Sequence, residues 1–197
     1  MTRQFEILQR KTVFQRFIFK IDEIELRHEK HDGTMSAPIT RLVFERGSSA
    51  AVLLHDPAAD ALLFCEQFRA PTCAHGSAWL IELPAGVVDP EEKPEAAAKR
   101  ETLEETGQEV AHLQRIASVY PSPGGSSELV HIFYGQTPLS LGVPETAGLE
   151  NEDEDIRVLC EPVSKAFSWV DAGEIQDAKT MIALQWLRHE LRHKELA

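Results

Sequence analysis

The sequence predicts an α+β fold, and three observations predict it. Apolar residues in β-type patterns fill the first half of the chain, one helix rich in Ala and Glu follows, and further strand-like runs precede two helical segments at the end. Residues 13–28 carry Val13, Phe14, Phe17, Ile18, Phe19, Ile21, Ile24 and Leu26, a β-rich run. His31-Asp32-Gly33 is a turn signal, and Ile39 to Phe44 resumes a strand, which predicts a hairpin. Ala50 to Leu54 and Ala61 to Phe64 flank the turn residues Asp56 to Asp60, which predicts a second one. Trp79-Leu80-Ile81 reads as a strand that ends in the loop Leu83-Pro84-Ala85-Gly86.

The pattern then changes. Pro94 through Thr106 is rich in Ala, Glu, Lys and Arg, with proline suited to a first helical turn and Gly107 placed to end the helix. Strand-like segments follow near Ala117–Tyr120 and Leu129–Tyr134, then an acidic loop over 142–155 and another strand from Ile156 to Cys160. Helical segments at about 164–171 and 179–194 finish the chain. No repeat or low-complexity tract interrupts it. The expected organisation is a strand extension over 1–47 followed by one domain over 48–197.

Composition limits the function classes. The 197 residues are 43% hydrophobic and 26% charged, as in a globular protein that buries a core of its own. A net charge of −12 argues against a surface that grips nucleic acid, which needs a basic footprint. It leaves room for a small phosphorylated substrate, provided that metal ions and a few arginines reverse the sign locally. Cys65, Cys73 and Cys160 form no CxxC pair, which suggests reduced thiols and a cytoplasmic setting. No apolar run is long enough for a signal peptide or a membrane span.

The chemistry is concentrated in the helix. Glu101, Glu104 and Glu105 stand at i, i+3 and i+4, so three carboxylates share one face. Like charges at that spacing repel by a few tenths of a kcal/mol per pair, roughly, in an isolated helix. Mg²⁺ would compensate, because it takes a few carboxylate oxygens and completes its shell with water and substrate phosphate. Arg100 can reach Glu104 at i+4, while Leu103 and Ala96 are expected to pack against the sheet. Taken alone, a Glu-rich helix is more often a solvated face.

The longer spacing decides between those readings. Gly86, Glu92, Arg100, Glu101, Glu104, Glu105 and Gly107 fit G-x5-E-x7-R-E-x2-E-E-x-G, and the stretch resembles the signature of the Nudix hydrolases. Thr102 and Gln108 depart from it, standing where an aliphatic residue is usual. The resemblance implies an α/β/α sandwich with a mixed sheet, and metal-dependent hydrolysis of a phosphoric anhydride. Tyr120-Pro-Ser-Pro123-Gly-Gly-Ser-Ser-Glu128, Glu82-Leu-Pro-Ala85-Gly86, Glu66-Gln67-Phe68-Arg69 and Arg41 before Phe44-Glu45-Arg46-Gly47 are similar to the ADP-ribose pyrophosphatase branch. They also resemble a cousin that hydrolyses GDP-mannose, and ADP-ribose is the preferred reading.

The resemblance further implies roles. Two or three Mg²⁺ ions, with Mn²⁺ a possible substitute, would be held by Glu101, Glu105, Glu104 and the carbonyl of Ala85, with Arg100 orienting the carboxylates. Glu152, or its neighbour Glu154, in the acidic loop would be the general base. Arg69 and Arg41 would contact phosphate, and Glu128, beside the Pro123 turn, the ribose hydroxyls. Relatives of this branch pair through their N-terminal strands, so a homodimer is expected, with Arg41 serving either its own or the partner's site. A rival class is a Nudix-fold module that senses a nucleotide without cutting it, but such modules typically lose signature carboxylates and none is lost here. His189-Glu190-Leu191-Arg192-His193 fits the zinc pattern H-E-x-x-H, yet no downstream third ligand follows it, so it reads as a helix end.

Overall fold

The computed structural model describes residues 3–139, 146–147 and 155–195. In chain order the strands are β1 (Phe5–Arg16), β2 (Phe19–His28), β3 (Ile39–Glu45), β4 (Ser48–Asp56), β5 (Ala61–Phe68), β6 (Trp79–Glu82), β7 (Ala85–Val87), β8 (Leu113–Val119), β9 (Leu129–Gln136), β10 (Thr146–Ala147) and β11 (Ile156–Pro162). The helices are α1 (Pro94–Thr106), α2 (Val163–Ala172) and α3 (Ala178–Glu195). Two compact units emerge: Met1–Gly47 with Tyr120–Leu129, and Ser48–Val119 with Val130–Ala197.

The first unit is built on an antiparallel sheet in the order β1-β2-β3. The run over 13–28 is not one strand, because Arg16 pairs with Phe19 across a two-residue turn at Phe17 and Ile18. Phe17 takes φ of 52° there, a left-handed conformation that usually goes to Gly, Asn or Asp. The turn therefore carries no compositional signal. Asp22 is buried in this sheet and is bonded by Arg10 at 2.6 Å, Lys20 at 3.0 Å and Thr12 at 2.8 Å. The Pro-Gly-Gly segment joins the same unit: the Phe44 N–H donates to the Gly125 carbonyl at 2.8 Å and the Ser127 N–H to the Phe44 carbonyl at 3.0 Å.

The second unit is a mixed sheet in the order β10-β11-β5-β4-β9-β8, with β6 paired to β5 and β7 to β4. β4 and β9 run parallel, since the Leu129 N–H donates to the Gly47 carbonyl at 3.2 Å and the Thr137 N–H to that of His55 at 3.1 Å, so both strands advance together. Alternation along β4 divides the core. Ala50, Val52 and Leu54 face α1 through Ala97 and Ala98, while Ala51 and Leu53 face α2 and α3 through Val163, Ala166, Ala183, Leu184 and Leu187. Helices on both faces of one sheet make an α/β/α sandwich.

The face of α1 differs from the one expected. Leu103 is 48% exposed and Ala96 is exposed, whereas Ala97, Ala98, Thr102, Glu105 and Thr106 are buried. Two threonines are tolerated there because each hydroxyl bonds back into the helix, Thr102 to the Ala98 carbonyl at 2.7 Å and Thr106 to that of Thr102. Small side chains let α1 lie close to the sheet, and that proximity brings Glu105 inward. Gly107 closes the helix with φ of 66°, its N–H bonded to the Leu103 carbonyl at 2.9 Å.

Candidate active site

β7 and the α1 helix form the candidate site between them. In the β4–β7 ladder, Ala51 faces Ala85 and Ser49 faces Val87, while the bridging bonds are made by neighbours, with Pro84 accepting from Val52 and Val88 donating to Ser48. Ala85 and Val87 therefore turn their backbone N–H and C=O away from β4. α1 answers that edge. Glu105 Oε2 accepts the Ala85 N–H at 2.8 Å, and Arg100 Nη2 donates to the Val87 carbonyl at 3.0 Å. Strand geometry turns the Ala85 carbonyl to the same side as its N–H, beside Glu105.

Arg100 organises the acidic face. Its Nη1 donates to Glu101 at 2.7 Å and to Glu104 at 3.1 Å, and its Nη2 reaches Glu92 at 3.0 Å. The hydrogen bond to Glu92 is the main reason that the guanidinium is held even more firmly protonated than an ordinary arginine. Glu92, a fixed signature position with no role assigned from sequence, is thus the partner that orients Arg100. Glu105 is turned inward at 5% exposure, with the Cys65 thiol 3.9 Å from Oε2. Burial first, and then the Glu105 and Glu82 carboxylates, push the Cys65 thiol well above its ordinary value.

A divalent cation can be tested against this donor set. All four candidate donors are oxygens, the carboxylates of Glu101, Glu104 and Glu105 and the carbonyl of Ala85, which is the chemistry that Mg²⁺ and Mn²⁺ prefer. Space fits as well: a Cβ on Gly86 would lie 1.9 Å from the Glu101 carboxylate carbon, so only glycine admits that carboxylate above the strand. Among the described residues no three His, Cys, Asp or Glu side chains are gathered as they stand to hold a metal ion. Arg100 engages Glu101 and Glu104, while Glu105 serves Ala85. The donors suit a cation, and the carboxylates would exchange those partners to hold one.

A second polar cluster backs the strand. Arg69 grips Glu82 with Nε at 2.7 Å and Nη2 at 3.1 Å. Lys179, in the first turn of α3, donates to Glu82 Oε2, the oxygen that also accepts from Arg69 Nη2, and lies 3.0 Å from Asp177. Burial alone would push the Glu82 carboxyl up, but Arg69 and Lys179 outweigh it and hold it low. Burial likewise presses the Lys179 ammonium down, and Asp177 and Glu82 hold it above its ordinary value. In the sequence Glu82 stands in a segment similar to the family and Lys179 at the start of the last helical segment, neither with a role, because nothing along the chain shows that residues 82 and 179 meet.

The expected site residues divide between the two units. Ala85, Arg100, Glu101, Glu104, Glu105 and Arg69 belong to the second, and Arg69 already spends two donors on Glu82. Arg41, Pro123 and Glu128 belong to the first. Arg41 is exposed on β3 with Nη1 on the Thr40 carbonyl at 2.8 Å, Pro123 is exposed, and the Glu128 N–H donates to Ser126 Oγ at 3.2 Å. Glu152 and Glu154 lie outside the described residues. His189 and His193 of the H-E-x-x-H run meet each other, ring centroids 4.2 Å apart.

The NUDIX domain family matches residues 45–189, nearly three quarters of the chain and all of the signature. The chain belongs to the Nudix family. As a Nudix hydrolase it is 38% identical over 192 residues to the ADP-ribose pyrophosphatase of Escherichia coli, a match covering 97% of this chain and 90% of that one. It is 35% identical over 190 residues to the GDP-mannose pyrophosphatase of Shigella flexneri, covering 95% of this chain and 97% of the relative. In three dimensions this Nudix hydrolase matches a crystal structure of an ADP compounds hydrolase with a TM-score of 0.71 over 97% of this chain and 96% of the other, at 19% identity, which shows the fold. Nudix hydrolases are generally dependent on divalent metal.

Proposed function

We propose that this Nudix hydrolase cleaves the pyrophosphate of ADP-ribose to AMP and ribose 5-phosphate with Mg²⁺ as its metal, Mn²⁺ serving as a substitute. The observation that carries the reading is the acidic face of α1 laid along the turned-out edge of β7, with Glu105 bonded to Ala85 at 2.8 Å. Glu101, Glu104, Glu105 and the Ala85 carbonyl would hold two or three ions. When bound, these would neutralise the phosphate oxygens and the charge that develops at phosphorus. The relatives named for ADP-ribose support the substrate at 36–38% identity over most of the chain. GDP-mannose is the second reading, favoured by the relatives at 35%.

The other residues take roles around that centre. Arg100 keeps Glu101 and Glu104 oriented while metal is absent, and yields them to cations. Arg69, held in place by Glu82, directs its remaining N–H groups to a phosphate oxygen, and Arg41 does so from its own or a partner's site. Glu152, with Glu154 beside it, takes the proton of the attacking water as oxygen bonds to phosphorus and the second phosphate leaves. Glu128 engages the ribose hydroxyls beside the Pro123 turn.

The segment 1–47 acts as a dimerisation extension, and 48–197 as the catalytic domain. β1 supports the first role, since Phe5, Ile7, Val13 and Phe14 are between 46 and 72% exposed. A cytoplasmic setting agrees with three unpaired cysteines. Among the described residues no helix is long and apolar enough to cross a membrane.

The test is a hydrolysis panel of ADP-ribose, GDP-mannose, other sugar nucleotides and a dinucleoside polyphosphate, each with Mg²⁺ and with EDTA. ADP-ribose should give AMP at the highest kcat/KM, and EDTA should abolish it. Glu105→Gln should lower turnover by orders of magnitude and leave the fold intact. A higher kcat/KM for GDP-mannose would transfer the assignment to that substrate.

A further inference from the structure

Thr180 lies outside the signature and among none of the expected substrate contacts, yet its hydroxyl is built into the strand end that leads to Ala85. It is fully buried on the first turn of α3. Its Oγ1 accepts the Leu83 N–H at 2.9 Å and donates its proton to Asp177 Oδ2 at 2.6 Å. The same Asp177 oxygen accepts the Thr180 N–H at 2.9 Å, which fixes Asp177 as the cap of the helix. With the hydroxyl proton committed to Asp177, the lone pairs of Oγ1 are directed to Leu83. Leu83 is 1% exposed, so water cannot replace that acceptor.

The next two residues leave the backbone little freedom. Pro84 has no N–H and a fixed φ, and its carbonyl accepts from Val52 at 3.1 Å. Ala85 then donates to Glu105 at 2.8 Å. Three successive residues are thus tied in turn to α3, β4 and α1, all within one unit. The direction of the Ala85 carbonyl follows from those three ties. We propose that Thr180 is a positioning residue for the divalent-cation site, setting the Ala85 carbonyl through the Leu83 N–H while Asp177 keeps the hydroxyl oriented as an acceptor. This deepens the metal reading above and rests on it.

A bond that merely joined α3 to the sheet would affect stability alone, so cation binding is the discriminating quantity. Mn²⁺ alone is titrated into the full chain without substrate, with free Mn²⁺ followed by electron paramagnetic resonance and thermal melting recorded beside it. Thr180→Val keeps the volume and removes the acceptor. It should bind Mn²⁺ about tenfold more weakly, the lower end of what an outer partner of a metal ligand contributes. Thr180→Ser should bind like the parent. Parent-like binding by Thr180→Val, whatever its melting temperature, overturns the proposal, as does a Ser variant as weak as the Val variant. Glu105→Gln in the same titration separates the two readings, since parent-like Mn²⁺ binding there overturns the metal site itself.

A measurement on the parent protein covers the case in which Thr180→Val does not fold. By linkage, a bond that favours cation binding is itself strengthened by the cation. The Leu83 amide should then exchange about tenfold more slowly with Mn²⁺ bound, relative to the Leu139 amide, which is held by Asp56 at 2.9 Å and reports general stabilisation. Equal slowing of both amides overturns the proposal.

Discussion

Gly86 lies beneath Glu101 so closely that a methyl group on it would stand 1.9 Å from the Glu101 carboxylate carbon and 2.0 Å from Oε1. The three nearest atoms that it would meet all belong to the flexible end of that side chain. Glu101 would leave Arg100, its partner at 2.7 Å, and the edge of β7.

Gly86→Ala should therefore damage activity more than stability. Displacing a group of the reacting shell by about 1 Å can cost on the order of a hundredfold in rate. We expect a loss of about that size in kcat, with a melting temperature within a few degrees of the parent, roughly what a stability change under 1 kcal/mol gives. Steady-state kinetics beside a thermal melt checks both halves, and parent-like turnover would remove Glu101 from the proposed metal shell.

Gly107 carries the opposite expectation. Its φ of 66° is left-handed and it ends α1 without touching substrate or metal in the proposed site. Gly107→Ala should cost about 1 kcal/mol in urea unfolding through the strain of a Cβ in that conformation. Gly107→Asn should cost less. Equal stability of all three proteins would mean that the last turn of α1 unwinds freely.

The N-terminal sheet should loosen in acid through Asp22. Burial raises its carboxyl, but Thr12, Arg10 and Lys20 outweigh that and hold it at about 2, against an ordinary 3.8. A depressed folded value adds stability that is fully present above 3.8 and lost as pH falls towards 2. Asp22→Asn should be less stable than the parent at neutral pH, and the gap should close across that acidic window. Urea titrations followed by circular dichroism at several pH values measure it; a gap independent of pH would refute the linkage.

The three thiols should separate by reactivity. Cys73 and Cys160 are exposed, while Cys65 is buried against Glu105 with its thiol pushed well above the ordinary value. An aromatic disulfide reagent should titrate two thiols in the native protein and the third only on unfolding. Rapid reaction of all three would mean that the core around Glu105 opens readily.

The α1 helix shows why some features are legible in a linear chain. Its start at Pro94, its end at Gly107 and the shared face of Glu101, Glu104 and Glu105 follow from local spacing, and each appears where the sequence predicts it. Hairpins marked by turn residues were legible for the same reason. The turn at Phe17 and Ile18 was not, because neither residue type announces one. The buried side of α1 is not legible either: Leu103 is more apolar than Thr102, but the sheet approaches the helix over its small residues, and Leu103 remains outside.

The sequence by itself determined the α+β pattern and the acidic face through local periodicity and spacing, and through the resemblance carried by the signature it implied the family and its sandwich of helices on a mixed sheet. Only the tertiary structure decided that Glu92 holds Arg100, that Glu105 bonds Ala85, and that Asp177, Lys179 and Thr180 support Glu82 and Leu83 from α3. Those contacts join residues up to 97 positions apart. A hydrogen bond depends on a distance of about 3 Å in space, and separation along a chain does not encode that distance until the sheet and its helices have packed.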